Sequence, residues 1–167
     1  QVILVEELIS KRDAAHFLFI SGGMLTRYNK NVELEYEVFE SSEALADGEV
    51  LSLEEKFLAG QGQNITPARY AKNAGDRQKV SEQVKAALGG AAKALGVSGY
   101  CRIDAFVRVY NDCRAEIIFI EVNSLPGMTP ATCIFHQAAI NNYKPYEFID
   151  KILDFGKKRL MLRGTTA

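Results

Sequence analysis

GYCRIDAF at residues 99–106 and IIFIEVNSLPGMTP at residues 117–130 are the two stretches that decide the fold of this chain. Both are rich in β-branched and aromatic residues, and segment 110–114 between them is short and polar enough to turn the chain. The pattern predicts a β-hairpin whose strands cover residues 100–109 and 115–122.

The register of this hairpin follows from its turn. A turn centred on Asp112 and Cys113 pairs Asp104 with Glu121 and Arg102 with Asn123. Because side chains alternate between the faces of a strand, these four are expected on one face. The other face is predicted to be the core face, and its members are apolar: Ile103, Ala105, Val107, Ile118, Ile120 and Val122.

Two opposed carboxylates on neighbouring strands indicate a cation site. At a separation of roughly 5 Å between Cβ atoms, Asp104 and Glu121 repel each other unless a proton or a cation lies between them. Two carboxylates and the amide of Asn123 suit a hard cation such as Mg²⁺. An acidic pair that shares a proton, or plain surface charge, is the simpler alternative. The neighbouring Arg102 and the Pro-Gly loop at residues 126–127 favour a functional site.

Length and composition describe one ordered domain. The chain has 167 residues, of which 47% are hydrophobic and 25% charged, as in ordinary globular proteins. Its net charge of -1 gives no electrostatic reason to expect nucleic acid or an anionic membrane as a partner. No apolar stretch is long enough to span a membrane, and no export signal is recognisable at the start.

The cysteines argue against a disulfide framework. Cys101, Cys113 and Cys133 are odd in number and lack CxxC spacing, so a thiolate metal site is also not indicated. A reducing, cytoplasmic location fits this usage best. Cys101 is expected to pack in its strand, because neither histidine has a recognisable spacing that would make this thiol a nucleophile.

The remaining secondary structure is predicted from periodicity and turn residues. Strands are expected over residues 1–6, 14–21 and 34–38, and the second of these is expected to end at Gly22-Gly23. Residues 40–48 read as a turn, and residues 52–75 as a long loop.

Helices are predicted over residues 76–95, 132–142 and 145–159. The first has an apolar stripe that ends before Gly96, and the last begins at Pro145. The apolar residues of that stripe are Val80, Val84, Ala87, Leu88, Ala91 and Leu95. The last helix is expected to turn Phe148, Ile149, Ile152 and Phe155 inward.

With Arg-x-Asp and Glu-x-Asn on a hairpin and a Pro-Gly loop after it, the chain resembles the D-alanine–D-alanine ligases of the ATP-grasp superfamily from about Val2 to Arg159. The resemblance implies an α+β fold, the ATP-grasp C-terminal lobe, with a mainly antiparallel sheet and packed helices. It also implies that residues 1–167 are a single domain of a longer ligase, whose N-terminal and central domains are missing from this sequence.

The resemblance assigns catalytic and metal roles. Asp104, Glu121 and Asn123 would bind two Mg²⁺, with Mn²⁺ as another option, that bridge the phosphates of ATP. Arg102 and the backbone N–H of Gly127 would stabilise negative charge at the reacting acyl centre. Arg102 has the alternative of a structural partner for the carboxylates. Lys56 would contact the transferred phosphate from a flexible loop.

Nucleotide and acceptor roles are implied in the same way. The adenine hinge would be formed by Glu6, Glu7, Leu8 and Ile9. Asp13 would contact the ribose, although family members often have glutamate there. Ile120 would line the adenine pocket, whereas strand alternation places it on the core face. Thr132 and Cys133 stand where a serine and a leucine often hold the incoming carboxylate.

The implied activity is ATP- and Mg-dependent ligation of a carboxylate to an amine through an acyl phosphate, for peptidoglycan precursors. Leu51, Leu53 and Phe57 stand where ligases specific for D-alanine commonly have tyrosines, so a ligase with another amino-acid or hydroxy-acid acceptor is an alternative. A non-catalytic nucleotide-binding module is another. The full-length protein is expected to bind ATP and small amino-acid substrates, with a homodimer as one option, and the present chain alone is not expected to ligate.

Overall fold

The computed structural model describes residues 2–45, 64–129 and 132–164. Within these ranges six strands form one sheet, and three helices pack on it. The strands are β1 (His16–Tyr28), β2 (Leu34–Val38), β3 (Ser42–Ala44), β4 (Asn64–Ile65), β5 (Tyr100–Val109) and β6 (Ala115–Asn123). The helices are α1 (Ala74–Ala94), α2 (Cys133–Ile140) and α3 (Pro145–Gly164). The α+β fold with an antiparallel sheet is therefore confirmed.

Strand β1 lies in the middle of the sheet. The strand order is β4-β3-β1-β5-β6, and β2 pairs with the remainder of β1 beyond β3. All the described pairings are antiparallel. The hairpin of β5 and β6 therefore joins the sheet through β5, whose residues 100–109 pair with residues 16–25 of β1.

Two glycines let helices approach both faces of β1. A Cβ on Gly22 would lie 2.4 Å from Cδ1 of Leu88 on α1, and a Cβ on Gly23 would lie 2.4 Å from Oε1 of Gln137 on α2. Adjacent residues of a strand face opposite sides, so α1 and α2 cover opposite faces of the sheet. The prediction that the strand ends at Gly22-Gly23 is wrong, because these residues mark close packing within a longer strand.

Helix α1 covers the face that carries the larger core. The side chain of Asn73 caps its first turn by accepting a hydrogen bond from the N–H of Asp76, and Gly96 follows its end with a φ of +65°. The predicted apolar stripe is confirmed at Val80, Val84 and Leu88, which are buried. Leu95 is an exception, since it ends the helix and is 65% exposed.

The second core lies on the other face, under α2 and α3. Phe148 of α3 and Ile134 of α2 pack there with Phe39. Phe155, also on α3, stacks on Tyr28. The predictions of two helices here are confirmed, although α3 continues beyond the predicted end to Gly164.

Two predictions in the first half of the chain are wrong. The described part of segment 1–6 forms no strand, and its apolar side chains, from Val2 to Val5, are exposed. A strand needs a neighbour that accepts its backbone hydrogen bonds, and none of the described residues pairs with this segment. The polar segment predicted as a turn contains β3, which β1 stabilises. Of the predicted loop 52–75, residues 52–63 lie outside the described residues.

Candidate active site

The hairpin brings the four predicted polar residues together. Asp104 pairs with Glu121 and Arg102 pairs with Asn123, as the sequence predicts. Ile103 between them pairs with Val122 on the core face, where Ile103 is fully buried. The cross-strand carboxylate pair is therefore a feature of the fold.

A β-bulge in β6 changes the register beyond this pair. Asp104 pairs with Glu121 but Ala105 pairs with Phe119, so Ile120 is the extra residue of the bulge. Beyond the bulge Ile117 packs against the core, and Ile118 pairs with Phe106 of the site face. The prediction that Ile118 and Ile120 face the core is therefore wrong. Ile120 is 47% exposed, which removes the conflict between strand alternation and its implied contact with adenine.

Asp104 is buried and surrounded by donors. Its side chain accepts hydrogen bonds from Ser21 Oγ at 2.6 Å, Arg102 Nε at 3.0 Å and Arg102 Nη2 at 2.9 Å. Only 4% of the residue is exposed. Burial of a carboxylate is costly unless such partners offset the lost hydration. Here the guanidinium of Arg102 does so with two hydrogen bonds, one to each carboxylate oxygen.

Arg102 stays charged in this setting. Burial alone would lower the pKa of Arg102, but the hydrogen bonds and attraction from Asp104 outweigh it, so the pKa is raised. Glu121 and Cys133 add smaller contributions in the same direction. The contact matches the structural role considered for Arg102, and a permanent positive charge beside the carboxylates is also what an anionic substrate group needs.

Asn123 connects the two carboxylates. Its amide nitrogen lies 3.4 Å from Asp104 Oδ2 and 3.1 Å from Glu121 Oε1, so both carboxylates converge on one point. Rotation of the amide would present its oxygen there instead. In the part of the chain that the structure describes, no three His, Cys, Asp or Glu side chains come together as a metal site. Two carboxylates and one amide are nevertheless oxygen donors of the kind that a hard cation binds when waters or phosphate oxygens complete its shell.

The two residues predicted to hold the incoming carboxylate lie at the start of α2. Cys133 Sγ is 3.7 Å from Ser21 Oγ, the hydroxyl that donates to Asp104. Burial raises the pKa of the Cys133 thiol, although Ser21 and Arg102 act in the opposite direction. Thr132 precedes the helix, and its hydroxyl donates to the carbonyl of Thr129 at 2.8 Å. Cys133 is thus connected to the polar cluster, whereas the Thr132 hydroxyl is engaged with its own loop.

The Pro-Gly loop follows β6 directly. Gly127 is exposed, and a Cβ there would come to 3.7 Å from Cγ2 of Thr132, which is ordinary contact distance. The loop therefore lies against the beginning of α2. Lys56, the predicted phosphate-contacting residue, lies outside the described residues.

The implied nucleotide residues lie in an exposed segment before β1. Glu6, Glu7 and Leu8 have no regular secondary structure, Ile9 is half-buried, and Asp13 is exposed. Glu7 forms an ion pair with Arg12, whose φ of +51° turns the chain towards β1. The carbonyl of Ser10 accepts a hydrogen bond from Arg108 of β5.

Three site-face residues were missed by sequence reasoning. Ser21 and Arg108 are described above, and Gln137 donates from α2 to the Ser21 carbonyl at 2.6 Å. The glycine pair beside Ser21 indicates close packing, but no local pattern identifies its partner helix. Each of these residues acts through a contact that spans more than eighty positions of the chain.

Known proteins match the chain over most of its length. It is 30% identical over 162 residues to the D-alanine–D-alanine ligase of Leptospira interrogans, in an alignment that covers 95% of this chain and 43% of that relative. It is 33% identical over 129 residues to the D-alanine–D-alanine ligase of Trichlorobacter lovleyi, covering 74% and 38%. The chain thus spans about two fifths of the length of the curated relatives it matches.

Solved structures share the fold. The D-alanine–D-alanine ligase of Bacillus anthracis, complexed with ATP, aligns with a TM-score of 0.55 at 18% identity, over 90% of this chain and 40% of that one. D-alanyl-alanine synthetase A of Vibrio cholerae aligns with a TM-score of 0.55 at 19% identity, over 85% and 39%. The family model described as the D-ala D-ala ligase C-terminus matches residues 1–154, and the chain therefore belongs to this family.

Proposed function

We propose that the chain is the ATP- and metal-binding lobe of a ligase that joins the carboxylate of one D-alanine to the amine of another. The observation that carries the proposal is the opposed pair of Asp104 and Glu121 with Arg102 and Asn123 beside it. Family membership supports it. Peptidoglycan precursor synthesis in the cytoplasm is the proposed setting.

Asp104, Glu121 and Asn123 are the proposed Mg²⁺ ligands. A bound divalent cation would supply charge neutralisation for the ATP phosphates, and the family resemblance implies two, with Mn²⁺ as a possible substitute. The protein's part is to hold these oxygens in place. Ser21 and Arg102 fix the orientation of the Asp104 carboxylate, while the more exposed Glu121 accepts a hydrogen bond from Asn123.

Arg102 and Gly127 are proposed to act on the reacting centre. In the proposed reaction a substrate carboxylate attacks the γ-phosphate to give an acyl phosphate and ADP. The amine then attacks the acyl carbon, and inorganic phosphate leaves. The guanidinium of Arg102 and the N–H of Gly127 would stabilise the developing oxyanion, and Lys56 would bind the transferred phosphoryl group.

The nucleoside is proposed to bind at the segment before β1. Backbone groups of residues 6–9, from Glu6 and Glu7 through Leu8 and Ile9, would face the adenine. Asp13 would accept hydrogen bonds from the ribose hydroxyls, and the exposed Ile120 would cover one side of the base. Since the chain spans two fifths of its relatives, N-terminal and central domains of the same protein are proposed to complete the cleft. A homodimer is proposed for the full-length protein.

A different acceptor is the second candidate. Cys133 places a protonated thiol beside the polar cluster, and the hydroxyl of Thr132 is engaged with Thr129. All the candidate acceptors carry the same carboxylate, so this contact does not distinguish them. Another D-amino acid or a hydroxy acid is supported by Leu51, Leu53 and Phe57, which stand where ligases specific for D-alanine commonly have tyrosines.

The test is release of ADP by the full-length protein with Mg²⁺ and each of a series of D-amino acids or D-lactate. We expect release that depends on one acceptor, and a Glu121→Ala variant slower by at least about a hundredfold. Glu35→Ala is the control, because Glu35 is a strand carboxylate on β2, outside the site, and pairs with Arg27. Silence with every acceptor, together with ATP binding, would favour the non-catalytic module.

A further inference from the structure

Arg108 is a buried cation that the proposed reaction does not use. It lies on β5, four residues after Asp104 and on the same face, at the end of the strand away from the carboxylate pair. Only 2% of Arg108 is exposed. A buried guanidinium is rare because its lost hydration must be offset by hydrogen bonds.

The contacts of Arg108 join three parts of the chain. Its Nε donates to the Ser10 carbonyl at 2.7 Å, and its Nη1 lies 3.1 Å from both carboxylate oxygens of Glu116 on β6. The hydroxyl of Tyr110 donates to the same carboxylate at 2.9 Å. Nη2 is buried and has no hydrogen-bond partner among the described residues.

A buried arginine at position 108 costs more free energy than an apolar residue would. An apolar side chain of similar length would avoid both the desolvation of the cation and the unpaired Nη2. An apolar side chain could provide neither the ion pair with Glu116 nor the bond to Ser10. The ion pair joins two strands that already pair through their backbones, whereas the bond to Ser10 attaches the segment before β1.

The same cluster is electrostatically linked to the proposed nucleotide residues. Hydrogen bonds from Tyr110 and Arg108 hold the pKa of Glu116 below its ordinary value, and the charge of Arg12 adds to this shift. The bond to Glu116 raises the pKa of Tyr110, and the carboxylate of Asp13 adds to that shift. Asp13, the proposed ribose ligand, therefore lies near the cluster.

A backbone bond attaches the other end of this turn. The N–H of Ala15 donates to the carbonyl of Val109 at 2.8 Å, immediately before β1 begins. Ser10 and Ala15 are thus both fixed to the end of β5, and Asp13 lies between them. Loss of the hydrogen bond from Arg108 to Ser10 would release the N-terminal side of this turn, which continues into residues 6–9.

We propose that Arg108 is a positioning residue that holds residues 5–13, here called the nucleotide segment, in the conformation that binds the adenosine part of ATP. The proposal rests on the proposed function and deepens it. A segment fixed before binding does not lose its conformational freedom when the ligand arrives, so its affinity is higher. Arg108 contacts the segment and not the reacting atoms, so its effect should fall on nucleotide affinity.

The experiment uses Arg108→Met in the full-length protein. We expect the KM for ATP to rise by about tenfold while kcat stays within about twofold, since the variant loosens binding and leaves the reacting groups intact. Hydrogen exchange of the nucleotide segment should become faster. Glu116 retains a side chain that is 40% exposed, so water can hydrate it after the substitution and the fold is expected to survive.

Two variants control this test. Arg27→Met removes another cross-strand ion pair, the one between Arg27 and Glu35. Arg27 is 67% exposed, and none of its described hydrogen bonds reaches the nucleotide segment. This variant should therefore change neither the KM for ATP nor the hydrogen exchange of the segment. Tyr110→Phe removes only the bond to Glu116 and should raise the KM by a smaller factor. If Arg108→Met does not fold, Arg108→Lys, which keeps the charge but has no fork, should show the raised KM.

The outcomes separate the two proposals. A wild-type protein that uses ATP, with a variant whose KM for ATP is within about twofold of it, would overturn the role of Arg108 alone. A variant that lowers kcat as strongly as it raises the KM would also overturn it. A wild-type protein that binds no ATP would contradict the proposed function, and this inference would fall with it.

Discussion

Ile103 and Asp104 are neighbours on β5 and are almost equally inaccessible to water, but different interactions bury them. Ile103 lies in the core that α1 covers, among apolar side chains. Asp104 lies on the opposite face, where Ser21, Arg102 and Asn123 surround it with donors. Apolar contacts are non-directional, whereas each hydrogen bond requires a particular atom in a particular place. The first face therefore stabilises the fold, and the second defines one geometry.

The two glycines of β1 show the same difference. Leu88 opposes Gly22 with the end of a buried apolar side chain, whose contacts are non-directional. Gln137 opposes Gly23 with an amide that is fully buried and is held by its bonds to Ser21 and Ser42. The polar face has less freedom to adjust, although both approaches are equally close.

The largest expected effect on stability is on the apolar face. Ile103→Ala should lower the free energy of unfolding by roughly 2–5 kcal/mol, because the cavity lies in a fully buried core. Urea denaturation of the chain measures it. Leu95→Ala is the control, since Leu95 is exposed at the end of α1, and it should change stability by less than about 0.5 kcal/mol. Equal losses in both variants would refute the assignment of this core.

The glycine pair gives a direct comparison of the faces. Gly23→Ala should lower the free energy of unfolding by roughly 1–3 kcal/mol, because the new methyl group meets an amide that cannot move without losing hydrogen bonds. Gly22→Ala should cost less, since a shift of Leu88 breaks no hydrogen bond. Thermal or urea unfolding of both variants decides the order, and the reverse order would contradict the rigidity of the polar face.

A smaller effect is expected at the hydroxyl that supports Asp104. Ser21→Ala should lower the free energy of unfolding by about 1.5 kcal/mol, because a buried carboxylate loses one of its donors but keeps Arg102 and Asn123. Ser81→Ala on α1 also removes a bond to a carboxylate, that of the partly exposed Glu40, and should cost less. Equal losses of unfolding free energy in the two variants would contradict the idea that burial of Asp104 strengthens its bond to Ser21.

The smallest effect is a pH dependence at Glu116. The folded state lowers the pKa of Glu116, so the carboxylate stabilises the fold above its ordinary value of 4.5, and this contribution is lost as the pH falls through the lowered pKa. Glu116→Gln should therefore lower the Tm at neutral pH. The difference in Tm between the two proteins should vanish in acid, and a difference that persists there would contradict the sign.

The hairpin was predictable because its information is local. Alternation and turn residues identify its two strands, but the predicted turn centre on Asp112 and Cys113 is half a residue off, because Val109 pairs with Ala115. The bulge offsets this difference, so Asp104 still pairs with Glu121 as predicted. The bulge at Ile120 was not predictable by these rules, because a constant register has no place for an extra residue. The prediction of a strand over residues 1–6 is wrong for a related reason, since an apolar run does not show whether a partner strand is present.

By itself, the sequence determined the order of the main elements, the helical stripe of α1 and the carboxylate pair, because short-range periodicity and turns control all three. Only the tertiary structure decided that Ser21 supports Asp104, that Gln137 packs on Gly23 and that Arg108 holds Ser10. Each of these contacts joins residues far apart in the chain, so each depends on how helices and strands pack. The local sequence therefore identifies the oxygens of the proposed metal site, but it does not identify the distant residues that orient them.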